Sequence, residues 1–96
     1  MKSSFVYLMS NHPNGVLYCG VTSDLVRRVA QHRTGAFDGF TKRYGLTTLV
    51  WFEAHEEVTS AITREKAIKH WSRARKVRLI HDSNRDWRDL WGEISQ

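Results

Sequence analysis

Ninety-six residues suffice for one domain with a modest core, and 41% hydrophobic against 26% charged residues excludes a disordered chain. The single cysteine excludes an internal disulfide and argues against an all-protein zinc cage. Fifteen Lys and Arg against ten acids give a net charge of +5, and ten of the fifteen are arginine. That balance favours a polyanionic partner, nucleic acid foremost, though basic charge alone does not demand one.

SFVYLMSN (4–11) reads as a strand ending in a polar turn. HPNG (12–15) holds the only proline and an Asn-Gly pair, and VLYCGVT (16–22) resumes strand-like residues. Together they predict an antiparallel hairpin, which needs a covering layer because two strands alone are marginal in water. The FVYLM run is too short for a signal peptide or a membrane span, so a reducing, cytoplasmic setting is expected.

DLVRRVAQH (24–32) is the first predicted helix, with Thr22, Ser23 and Asp24 as capping or first-turn residues. On a helical wheel Leu25, Val26, Val29 and Ala30 share one arc, Arg27 and Gln31 point away, and Arg28 and His32 lie side by side on its border. TGAFDGF (34–40) is a glycine-containing loop whose phenylalanines, Phe37 and Phe40, are expected to be exposed, and TKRY (41–44) adds two bases and a tyrosine. LTTLVWFEAH (46–55) is the third predicted strand. A helix over 58–71, a break near Ser72 and a second helix over 73–82 follow. The tail over 83–96 is expected to dock Trp87, Leu90 or Trp91 through a short helical turn. One α/β domain covers 1–96, with its core over 4–82: a small three-stranded antiparallel sheet, the hairpin plus one later strand, flanked by helices.

Glu65 is the least ordinary placement. It falls beside Ala61 and Ile68 on the covered side of its helix, marked also by Ala67 and Trp71, where a carboxylate must be paired or bound to a metal. A salt bridge to Lys69, one turn on, is the simplest account. Tyr7 and Tyr18 sit in opposite arms of the hairpin, as core aromatics or as a pair presented to one place. Cys19 alternates to the other face and reads as a small buried hydrophobe. His12, His55, His70 and His81 follow no metal-ligand spacing.

Taken together, VYL (6–8), YCG (18–20), DLVRRVAQH (24–32) and REKAIKHWSRARK (64–76) resemble the GIY-YIG nuclease domain, in its small single-domain form. The resemblance covers roughly residues 4–82 and implies a GIY-YIG-like fold. It matches Tyr7 and Tyr18 to the tyrosines of the two namesake motifs, Arg28 to the catalytic arginine, and His32 to a position held by His or Tyr. It matches Glu65 to the glutamate that binds one divalent ion, Mg²⁺ or Mn²⁺. Gly20 ends the second motif, where a side chain would crowd the site. The first motif reads VYL rather than GIY, the second has cysteine for isoleucine, and the family's helical asparagine has no match, since Asn84 lies well beyond Glu65.

The activity so implied is metal-dependent endonucleolytic hydrolysis of DNA; charge alone does not separate DNA from RNA. Tyr7 is the expected base, Tyr18 an orienting group (the two roles being exchangeable), and Arg28 the clamp on the scissile phosphate. Arg27, Lys42, Arg43, Lys69, Arg73, Arg75 and Lys76 are the expected phosphate contacts. No base-reading device is evident, so substrate shape rather than sequence is the expected preference, and no membrane partner is expected. Two other classes compete: a basic nucleic-acid-binding domain without catalysis, and an interaction module using the tryptophans at 51, 71, 87 and 91.

Overall fold

The computed structural model describes residues 3–36 and 39–96, so the exposure expected of Phe37 lies outside the described residues. HPNG turns the chain as its residues dictate. Asn14 takes a left-handed φ of 59°, and the Gly15 N–H donates to the His12 carbonyl at 2.9 Å. Strands β1 (Ser4–Ser10) and β2 (Leu17–Thr22) pair antiparallel on either side of the turn. The Asp24 carboxylate caps α1 (Leu25–Arg33) by accepting from the Arg27 N–H. A short α2 (Phe40–Arg43) lies between Gly39 and Gly45, both at positive φ. The chain then forms β3 (Thr48–His55), α3 (Val58–His70), α4 (Arg73–Ser83) and α5 (Trp91–Ile94). Ser72 makes the break between α3 and α4 by capping the latter, its hydroxyl accepting from the Arg75 N–H.

The sheet order is β2-β1-β3, entirely antiparallel. As the central strand, β1 is covered on both faces, and Val6 through Ser10 are all buried. Val6, Leu8, Cys19, Val50 and Trp51 pack with Ala61 and Ile68 of α3, Ile80 of α4 and Trp87. Tyr7, Met9 and Leu49 pack on the opposite face with Leu25 and Val29 of α1, Leu46 and Leu90. Val50 and Trp51 are consecutive yet share a face because the β1–β3 register shifts between Leu8 and Met9.

The expected helix arcs need correction. In α1 the buried line is Leu25, Val29 and His32, while Val26 is 42% exposed. In α3 it is Ala61, Glu65 and Ile68, with Ala67 exposed and Trp71 half-buried just past the helix end. Each helix buries an i, i+4, i+7 line that includes one polar residue, and rotating α1 toward that line carries His32 over the sheet. Helix α2, expected as loop, begins at Phe40, which is exposed as expected.

The tail docks through Trp87 and Leu90, both buried, and half-buried Trp91. Asn84, only 3% exposed, donates to the Val50 and Arg88 carbonyls and accepts from the Arg88 N–H. Asp89 accepts from the Leu49 N–H and pairs with Arg33 at 2.7 Å, and the Leu90 N–H donates to the Leu49 carbonyl. Of the four tryptophans, Trp51 and Trp87 are buried and Trp71 and Trp91 half-buried, which leaves two of them for an interaction surface. Among the described residues no helix is long and apolar enough to cross a membrane.

Candidate active site

The hairpin register sets Tyr7 opposite Gly20. With no side chain at Gly20, the Tyr7 ring lies across it; a Cβ there would come within 2.5 Å of Oη and 2.6 Å of Cζ. Tyr18 pairs with Met9 and, two residues from Gly20, projects to the same face as Tyr7. His32 arrives from the last turn of α1 and closes a three-ring cluster. The centroid separations are 6.3 Å for Tyr7–Tyr18, 5.7 Å for Tyr7–His32 and 5.5 Å for Tyr18–His32. Tyr7 Oη and His32 Nε2 are hydrogen-bonded at 3.0 Å in a buried setting.

Arg28, one turn before His32, hydrogen-bonds the Tyr7 side chain and bears on both residues electrostatically. Burial pushes the Tyr7 hydroxyl well above the ordinary tyrosine value and the Tyr18 ring adds to this, while Arg28 opposes it. Burial, then Arg28, lowers His32 to about 4. At neutral pH the imidazole is therefore neutral. The direction of the bond follows the tautomer: with the ring proton on Nδ1, Nε2 accepts the Tyr7 O–H, and with it on Nε2 the ring donates to Tyr7 Oη.

Glu65 approaches from the other face. Its side chain is 10% exposed, and one carboxylate oxygen holds the Lys69 ammonium at 2.7 Å, the i, i+4 pairing read from the sequence. Lys69 is raised above its ordinary value, chiefly by the hydrogen bond to Glu65, with Tyr18 and Cys19 adding smaller contributions. Lys69 thus senses residues on both faces of β2. β2 forms an open rim of the sheet, with Tyr18 on one face and Cys19 on the other. Cys19, beneath that rim, is pushed up to about 12 by burial first and Glu65 second, so its thiol stays protonated. Among the described residues no group of three or more His, Cys, Asp or Glu is placed to hold a metal ion. Glu65 is the one carboxylate at this position, and its partner in the structure is the Lys69 ammonium.

The basic residues divide by place. Exposed Arg27 and half-buried Arg28 line one depression with Thr22, Ser23, Asp24 and Gln31. The Thr22 hydroxyl serves the start of α1, accepting from the Asp24 N–H and donating to the Asp24 carbonyl. Lys76 donates to the Lys69 carbonyl at 3.4 Å. Arg73 instead donates to the Asn14 and Gly15 carbonyls, both at 2.7 Å, and clamps the hairpin turn to α4. Arg75 stacks on Trp71 at 3.9 Å. Lys42 and Arg43 stand on α2. Asn84 is a buried structural link rather than a group facing the cluster.

A three-stranded antiparallel sheet carrying these two tyrosines over its edge strand, with helices on both faces, defines a GIY-YIG-like α/β domain. Residues 3–78 match the GIY-YIG catalytic domain family, and the chain belongs to that family. A UPF0213 protein of Vibrio campbellii is 38% identical over 78 residues, covering 81% of this chain and 74% of its own. A UPF0213 protein of Staphylococcus aureus is 37% identical over 82 residues, covering 85% and 99%. The solution NMR structure of a UPF0213 protein from Bacillus halodurans superposes with a TM-score of 0.57 at 27% identity, covering 92% of this chain and 93% of that one.

Proposed function

We propose that this domain hydrolyses phosphodiester bonds in DNA, or in RNA of suitable shape, with Tyr7, Tyr18, Arg28, His32 and Glu65 as its working residues and a cytoplasmic setting. The observation that carries the reading is the buried Tyr7–His32 hydrogen bond beside Arg28, an arrangement that holding a phosphate backbone does not require. Burial keeps Tyr7 protonated in the free protein, so it acts as a base only by handing its own proton to His32 Nε2 as it takes one from water. The hydroxide so formed attacks phosphorus, the P–O bond on the opposite side breaks, and the leaving oxygen takes a proton from solvent. Tyr18 orients the water, and Arg28 holds the phosphate and the charge that develops on it. Glu65 would hold one Mg²⁺ or Mn²⁺, which when bound supplies Lewis-acid stabilisation of that charge. Arg27, Lys69 and Lys76 contact flanking phosphates.

A second reading, a nucleic-acid-binding domain without catalysis, is favoured by a specific observation: the Glu65 carboxylate is already engaged by Lys69, and no further carboxylate or imidazole joins it among the described residues. One experiment separates the two. Purified protein is incubated at low salt with labelled duplex, single-stranded, flap and branched DNAs, each with Mg²⁺, Mn²⁺ or EDTA, beside folded Glu65→Ala and Arg28→Ala variants. Cuts that require metal and vanish in both variants support the nuclease, with Arg28→Ala expected to cost about a hundredfold or more in rate. Salt-sensitive binding with no cutting on any substrate selects the second reading.

A further inference from the structure

We propose that Phe40 and Tyr44 of α2, with Lys42 and Arg43 between them, form a stacking platform for an unpaired base of a single nucleic-acid strand; this deepens the reading above and rests on it.

Among the described residues, Phe40 and Tyr44 are the two exposed large aromatics, at 49% and 42%. The remaining tyrosines, phenylalanines and tryptophans of those residues are buried or half-buried. The two rings lie an i, i+4 step apart with centroids at 4.8 Å and planes tilted by 48°, so they present one joined aromatic surface. The Arg43 guanidinium stands 5.8 Å from the centre of the Tyr44 ring. Among the described residues, Gly39, Phe40, Lys42, Arg43 and Tyr44 line the depression here.

Exposed rings interleaved with cations match what a nucleotide offers, a flat base and an anionic phosphate, better than they match an apolar peptide. Stacking on an aromatic ring tolerates any base but needs an open base face, which a closed duplex offers only at its ends. The platform therefore selects single strands, flaps and frayed ends.

The test measures fluorescence anisotropy at low salt with three equal-length probes: a single-stranded DNA, the same strand with abasic sites, and a blunt duplex. Wild type is compared with Phe40→Ala/Tyr44→Ala and with Tyr44→Phe, all surface changes that leave the thermal melt in place. The double variant is expected to bind the single strand about tenfold more weakly while its affinity for the abasic strand and the duplex barely changes. Tyr44→Phe keeps wild-type affinity. Equal losses on all three probes, or no loss on the single strand, overturn the platform while leaving the nucleic-acid reading standing. Failure of wild type to bind any probe removes both.

Discussion

The two faces of the sheet are built from one strand and do different work. β1 sends Val6 and Leu8 to the side of α3 and α4, where they meet Cys19, Val50, Trp51, Ile68 and Ile80 in an apolar cluster. It sends Tyr7 to the side of α1, where a buried hydroxyl meets a buried imidazole and an arginine. The first face is held chiefly by apolar burial, with Glu65 and Asn84 as its paired polar members. The second accepts buried polar groups, which are tolerable only while each finds a partner. A strand that looks uniformly apolar in sequence can therefore be half scaffold and half site, and its register against Gly20 decides which half carries chemistry.

The largest test of that contrast is Gly20→Ala. The added methyl meets the Tyr7 ring inside a fully buried position, so the proposed cleavage should fall about a hundredfold and the urea midpoint should drop by the equivalent of about 1–3 kcal/mol. Next comes pH. His32 is lowered from 6.5 to about 4, so the unfolded state binds the extra proton between those values. Its contribution is complete above pH 6.5 and is lost as the pH falls toward 4, up to about 3 kcal/mol. Thermal melts from pH 7 to 4.5 should show this slope, and His32→Gln should flatten it.

Asn84→Ala probes the scaffold instead. It strands the Val50 carbonyl and the Arg88 N–H and should cost about 2 kcal/mol by urea unfolding, with the rate of cleavage by the folded protein unchanged. The smallest effect belongs to Cys19. Its protonated, buried thiol should resist alkylation at pH 8 until the protein unfolds. Rapid native-state labelling would show that the scaffold face opens at the β2 rim.

Local chemistry made much of this legible. HPNG announced the hairpin, Asp24 and Ser72 announced two helix starts, and the Glu65–Lys69 pair follows from helical spacing alone. What stayed hidden depends on how elements meet. The bulge that puts Val50 and Trp51 on one face needs two strands to define it. The rotation of α1 that buries His32 and exposes Val26 is set by the sheet beneath the helix, not by the helix itself. The two turn carbonyls that Arg73 serves lie 58 and 59 residues earlier, and nothing in its own neighbourhood names them. The four motif residues Tyr7, Tyr18, Arg28 and His32 were each recognisable; the ring-to-ring separations among the two tyrosines and the histidine were not.

The tail's hold on Leu49 also bears on how copies of this chain behave toward one another. A three-stranded sheet has two open rims, each a template on which a foreign strand can grow. At β3 that template is interrupted, because both backbone groups of Leu49 and the Val50 carbonyl are already taken by Asp89, Leu90 and Asn84. The last thirteen residues thus act as a stopper against edge-to-edge aggregation. A chain cut before Asn84 is expected to polymerise in concentrated solution even where its secondary structure survives.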